Sequence, residues 1–143
     1  MDFNLEYKPH HVICRQGDPS SHLYLLKEGR VLICTVHGTQ VKALTRVGPG
    51  EFIGELSFFD GQPRSSYILT LEKCIITQIP RNEITDHFPF WFMEAGKNLT
   101  KKIRALDEVI RNSNFRKTSA EGQKPLSIEE QRTIYAAITN QLS

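Results

Sequence analysis

Between His11 and Ile79, apolar and polar residues alternate with period two in short runs punctuated by glycine. The runs Leu23–Leu26, Val31–Val36, Val41–Val47, Tyr67–Leu71 and Cys74–Ile79 read as strands. Chain reversals fall at Gly17-Asp18-Pro19, Glu28-Gly29, His37-Gly38, Gly48-Pro49-Gly50 and Asp60-Gly61-Gln62-Pro63, where glycine or proline supplies the turn geometry. Many short strands at this spacing predict a barrel, sandwich or roll.

After Pro89 the period changes. Phe92, Gly96, Leu99, Ile103, Leu106 and Ile110 follow one another in alternating steps of four and three residues, the signature of a helical seam. Gly96, Ile103 and Ile110 fall at a positions, and Phe92, Leu99 and Leu106 at d. Isoleucine at a with leucine at d favours a parallel two-stranded coil, so a homodimer through Phe92, Leu99, Ile103, Leu106 and Ile110 is one expectation. Packing of the same stripe on the chain's own strands is the other, and different faces of one helix can do both.

Asn112–Pro125 is polar and reads as a linker. Ser127 with Glu130 three residues on matches a capping box, and Ile134, Ile138 and Leu142 share one face of a short amphipathic helix whose partner the sequence does not reveal. The expected organisation is thus a strand-rich core over 1–88, a long helix over 89–115, and a linker with a short helix over 116–143.

Composition narrows the class. An apolar fraction of 39% with 24% charged residues suits one soluble domain. A net charge of +2, spread along the chain, names no polyanionic partner. The three cysteines lie in apolar or β-branched surroundings and form no CxxC pair, which predicts buried thiols. The N-terminus has no signal-peptide grammar, and no stretch approaches the ~18 apolar residues of a membrane span, so a cytoplasmic location is expected. The histidines His10, His11, His22, His37 and His87 lack ligand spacing, so no metal site is expected. No glycine-flanked nucleophilic serine or two-metal carboxylate grouping occurs, and no enzymatic activity is expected.

One stretch stands out: Gly50–Ser66, GEFIGELSFFDGQPRSS. A glycine, an acid, a short apolar turn and an arginine followed by two serines share one strand-loop-strand connection. Arg64 offers a fixed fork of donors for an anion, and Ser65 adds a hydroxyl and an N–H. A turn over Leu56–Phe59 would direct its free N–H groups to the same place. A plain reading also exists, in which Arg64 and Glu55 form a surface ion pair and the serines merely turn the chain.

This segment resembles the phosphate-binding cassette of the cyclic-nucleotide-binding domain family. The resemblance rests on Gly54, Glu55 and Leu56, followed by Arg64, Ser65 and Ser66. The preceding YKPHHVICRQGDPSSHLYLLKEGRV is similar to the family's opening strands, and the likeness extends from about Tyr7 to Ile110. It implies a mainly β fold with C-terminal helices: an antiparallel β-roll of double-stranded jelly-roll type followed by a long amphipathic helix. It also implies a regulatory ligand, cyclic AMP or cyclic GMP, and no cofactor. Arg64 would hold the phosphate with Ser65 and Ser66, Glu55 would accept the ribose hydroxyl and orient Arg64, and Gly54 would admit the sugar. An arginine-serine pair is closest to the catabolite-activator type, which favours cyclic AMP.

Three departures from the family pattern qualify the expectations. Ser66 stands where alanine is usual, the opening helix is reduced to a few residues, and Leu106-Asp107 replaces the small hydroxyl residues that reach the base. Arg104 and Asp107 are the candidate base contacts here. The chain after Phe115 is too short for a helix-turn-helix module, so direct DNA binding is not expected. The expected function is a sensor that passes ligand binding through its long helix to a dimer mate or an attached effector; one rival is a regulatory segment of a larger enzyme such as a cyclic-dinucleotide phosphodiesterase or kinase, which a longer reading frame beyond Ser143 would decide. The alternative is a roll that binds no ligand and serves as a dimerisation module.

Overall fold

A computed structural model describes residues 3–112 and 124–141. Its strands are β1 (Phe3–Tyr7), β2 (Val12–Cys14), β3 (His22–Glu28), β4 (Val31–His37), β5 (Gln40–Val47), β6 (Phe52–Ile53), β7 (Tyr67–Thr70) and β8 (Cys74–Pro80). They form two four-stranded antiparallel sheets in the orders β1-β8-β3-β6 and β2-β7-β4-β5. Four helices complete the chain: α1 (Glu55–Asp60), α2 (Arg81–His87), α3 (Phe90–Asn112) and α4 (Ile128–Asn140). This is the expected β-roll with a long helix behind it.

The alternation of each strand explains the core. Leu26, Val31, Ile53, Cys74 and Ile76 are buried between the sheets, with Cys14, Tyr24 and Ile68 beside them. On β3, Leu23 points the other way, into a second cluster with Phe58 of α1, Ile84 of α2 and Met93 of α3. The three cysteines are free and buried, as their surroundings imply. No helix among the described residues is long and apolar enough to cross a membrane.

The second sheet is apolar on both faces. Val31 and Ile68 face the inter-sheet core, whereas Leu32, Cys34, Val41 and Leu69 face outward under α4. That outer face is the partner the last helix lacked in the sequence: Ile134 and Ile138 are buried on it together with Leu126. The capping box is present, with Ser127 Oγ accepting from Glu130 N at 3.1 Å and Glu130 Oε1 accepting from Ser127 N at 3.0 Å. Leu142 and most of the expected linker lie outside the described residues.

Three sequence expectations are corrected. The opening residues, read as a remnant of a helix, pair as β1 along the edge of β8. A helix precedes Pro89, because Arg81–His87 follows Pro80 at an extended N-cap. The α3 seam is divided: Phe92 stacks with Phe88 and packs against Phe59 of α1, with ring centroids 5.0 and 6.3 Å apart. Gly96 is buried where a Cβ would collide with the Phe59 ring, so only glycine lets α3 lie this close to α1. Leu99, Ile103 and Leu106 remain 59%, 46% and 62% exposed, and Val109 joins them at 64%. Ile110 is half-buried.

Candidate functional site

Gly54 and Glu55 begin the site. Gly54 caps α1 in the left-handed conformation, φ 75°, and a Cβ there would overlap the Arg64 guanidinium. The close neighbour of Gly54 is therefore a protein side chain, and the glycine first of all makes room for Arg64. The first intrahelical bond runs from Phe58 N to Gly54 O at 3.1 Å, which leaves the amides of Glu55, Leu56 and Ser57 without partners in the helix ladder.

Arg64 is 3% exposed. Its main chain is pinned on both polar atoms, N–H to Asp18 O and C=O from Gly17 N, each at 2.7 Å. Its Nη1 donates to Gly54 O at 2.7 Å and its Nη2 to His22 O at 2.5 Å, while the guanidinium carbon lies 5.5 Å from the centre of the Tyr24 ring. Nε is buried and has no hydrogen-bond partner among the described residues.

Tyr24 and Cys14 beside this cation are held in their neutral forms. Burial raises the pKa of the Tyr24 hydroxyl, with Cys14 adding to the shift, and burial likewise raises the Cys14 thiol although Arg64 pulls it partly down. No ion pair joins Arg64 to a carboxylate among the described residues. The expected orienting role of Glu55 thus falls to the carbonyls of Gly54 and His22. Glu55 itself has exposed surface, yet desolvation by its surroundings raises its carboxyl pKa, partly countered by its own backbone and by Arg64.

These residues line a cavity of about 150 Å³. Gly54, Glu55, Leu56, Arg64, Ser65 and Ser66 all contribute, with Ser57, Arg104, Ile33 and Ile68. Ser66 is buried and Ser65 exposed, so the two serines present to the site from different depths. Ile33 and Ile68 supply an apolar wall that their strand positions determine but that no motif announces.

The long helix reaches the cavity through one of its two expected base contacts. Arg104 lines it, with Nε donating to Asp60 Oδ2 at 2.5 Å and Nη2 to Ser57 Oγ at 3.4 Å. Asp107 is exposed on α3 and does not line the cavity. Asp60 and Ser57 escape a sequence reading because one looks like a turn former and the other like an ordinary helical serine. Their spacing, both on the same short helix as Glu55, is the signal available beforehand.

A buried guanidinium whose Nε has no partner among the described residues, beside a cavity lined by the hydroxyls of Ser57, Ser65 and Ser66, has the chemistry to take a small anion. Comparison with known proteins agrees. The family model "Cyclic nucleotide-binding domain" matches residues 4–88. The "Cyclic AMP receptor protein" of Thermus thermophilus is 40% identical over 96 residues, covering 64% of this chain and 44% of that protein. The "CRP-like cAMP-activated global transcriptional regulator" of Mycobacterium tuberculosis is 27% identical over 105 residues, covering 73% of this chain and 45% of that protein. The crystal structure of the Thermus thermophilus catabolite activator protein superposes with a TM-score of 0.65 at 26% identity, covering 79% of this chain and 54% of that one. The chain spans less than half the length of the two curated relatives. It belongs to the cyclic nucleotide-binding domain family.

Proposed function

We propose that this chain is the sensor part of a regulatory protein, that it takes cyclic AMP in preference to cyclic GMP, and that it catalyses no reaction itself. The observation that carries this reading is Arg64. A buried cation with no anionic partner costs on the order of several kcal/mol in the ligand-free fold, and a ring phosphate seated against Nε and the Ser65 and Ser66 hydroxyls removes that cost. Glu55 at the cavity rim accepts the ribose 2′ hydroxyl. The preference for cyclic AMP rests on serine directly after Arg64 and on the relatives named for that ligand.

Transmission runs through α3. Arg104 ties α3 to the helix that frames the phosphate, so a ligand that moves α1 shifts the balance between two positions of α3. The exposed stripe Leu99, Ile103, Leu106 receives a second copy of the chain, and an effector attached beyond Ser143 reads the change. Relatives that are longer and named as transcriptional regulators fit an effector of that kind, with nucleic-acid contact made outside these residues.

Calorimetric titration of the full chain with each nucleotide tests the proposal. Saturable binding with cyclic AMP tighter than cyclic GMP is expected. No saturable uptake of either at millimolar concentration would leave only the reading of a ligand-free dimerisation module.

A further inference from the structure

We infer that α4 is coupled to the nucleotide site, so that its docking on the outer sheet face and ligand binding at Arg64 stabilise each other. The inference rests on the sensor reading above. It gives the protein a second output element beside α3.

The link is the short segment from His10 to Asp18. At its start, Gln141, just past the end of α4, accepts from Val12 N at 2.7 Å and donates from Nε2 to His10 O at 2.6 Å. His10 itself has φ 60°, a left-handed conformation uncommon for a residue with a side chain, and its N–H donates to Thr70 O at 2.8 Å. At the far end of β2, the Arg15 guanidinium donates to Ile138 O at 3.4 Å and to Gln141 O, meeting the carbonyls that the last turn of a helix leaves unpaired.

The same Arg15 begins the turn that fixes the ligand-binding arginine. Arg15 N donates to Asp18 Oδ2 at 2.9 Å, Asp18 O accepts from Arg64 N, and Gly17 N donates to Arg64 O. One segment therefore grips the end of α4 with a side chain and holds both main-chain polar atoms of Arg64. A ligand that immobilises Arg64 stiffens this turn and with it the perch of Arg15.

Helix α4 suits a releasable element. With 13 residues it is about the length at which an isolated helix is marginal in water, so docking decides whether it persists. By linkage, whatever factor the ligand contributes to α4 docking, α4 docking contributes to ligand affinity. A chain of bonds suggests such coupling, and measurement at both ends establishes it.

The test is hydrogen exchange on the full chain with and without saturating cyclic AMP, together with calorimetry on variants. Exchange across 128–141 is expected to slow when cyclic AMP binds. Arg15→Gln should abolish that protection and weaken cyclic AMP binding about fivefold, at the low end of measured couplings. Arg15→Lys, which keeps a cation near the helix end, should restore most of both. Gln141→Ala, which removes the side-chain bonds to Val12 and His10 and keeps Arg15, gives the same readout should Arg15→Gln disturb folding. Cyclic AMP binding with unchanged α4 exchange, or wild-type affinity in both Arg15→Gln and Gln141→Ala, would overturn the coupling while leaving the sensor reading intact. A wild-type chain that binds no nucleotide would overturn both.

Discussion

The Arg64 guanidinium fills the space that a side chain on Gly54 would need, and the two residues are joined by a hydrogen bond from Nη1 to the Gly54 carbonyl at 2.7 Å. Gly54 also holds φ 75°, so alanine there meets both backbone strain and a displaced cation. Gly54→Ala is expected to cost about 1 to 3 kcal/mol in stability, from strain and lost packing together. Cyclic AMP affinity should fall by about tenfold or more, a loss of about 1.4 kcal/mol. Thermal unfolding and titration calorimetry check both. Wild-type affinity in a folded Gly54→Ala protein would show that Arg64 reaches the ligand from elsewhere.

Glu55 gives a prediction with a sign. Its carboxyl pKa is raised by desolvation, so the ionised form is the less favourable one in the fold. Its contribution to stability is full below the ordinary carboxylate range and is lost as pH rises through the raised value. Glu55→Gln should therefore be more stable than wild type near neutral pH, with the difference shrinking toward about pH 4. Urea unfolding at several pH values measures this, and a pH-independent difference would contradict it. The same variant should discriminate less against 2′-deoxy cyclic AMP, because an amide also offers a donor where the ribose needs only an acceptor.

On α3, the stripe that faces solvent is testable by charge. Ile103 is 46% exposed and lies outside the buried core clusters, so Ile103→Glu should leave thermal stability of the monomer fold nearly unchanged. Sedimentation equilibrium should report a dimer for wild type and a monomer for the variant. A monomeric wild type, or a dimer that survives the substitution, would move the interface away from this face.

Among the polar ties between α1 and α3 is the ion pair of Arg104 with Asp60, whose side chains are 35% and 18% exposed. Partial exposure limits its worth to about 1 kcal/mol. Asp60→Asn is thus expected to lower stability only slightly while speeding amide exchange over the middle of α3. Unchanged exchange there would mean that the Phe59 contacts alone hold the two helices.

Much of the roll was legible in the sequence because its strands alternate and glycine marks their ends. Strand β1 was not, since Phe3–Tyr7 pairs along one edge and its Leu5 stays at the surface, which leaves little period to read. The two residues of β6 are too few to show a pattern. The continuous apolar run of β4 hid its second buried face, and so hid the seat of α4. At the site, the cassette residues were legible because their chemistry is concentrated in one loop. What packs around Arg64 was not, because the His22 carbonyl and Tyr24 ring of β3 and the Gly17-Asp18 turn, far earlier in the chain, reach it through tertiary structure alone. The heptad pattern left two partners open, and at Phe92 and Gly96 the chain's own α1 takes the seam, because a seam records which residues are apolar and not which neighbour takes each turn.

The most direct test of the account is titration calorimetry of cyclic AMP into wild type and into Arg64→Ala, with circular dichroism confirming that both are folded. Loss of the buried charge that meets the phosphate is expected to weaken binding by about 2 to 5 kcal/mol, roughly 30-fold or more. Equal affinities in two folded proteins would contradict it, and the anion would have to be held by other residues.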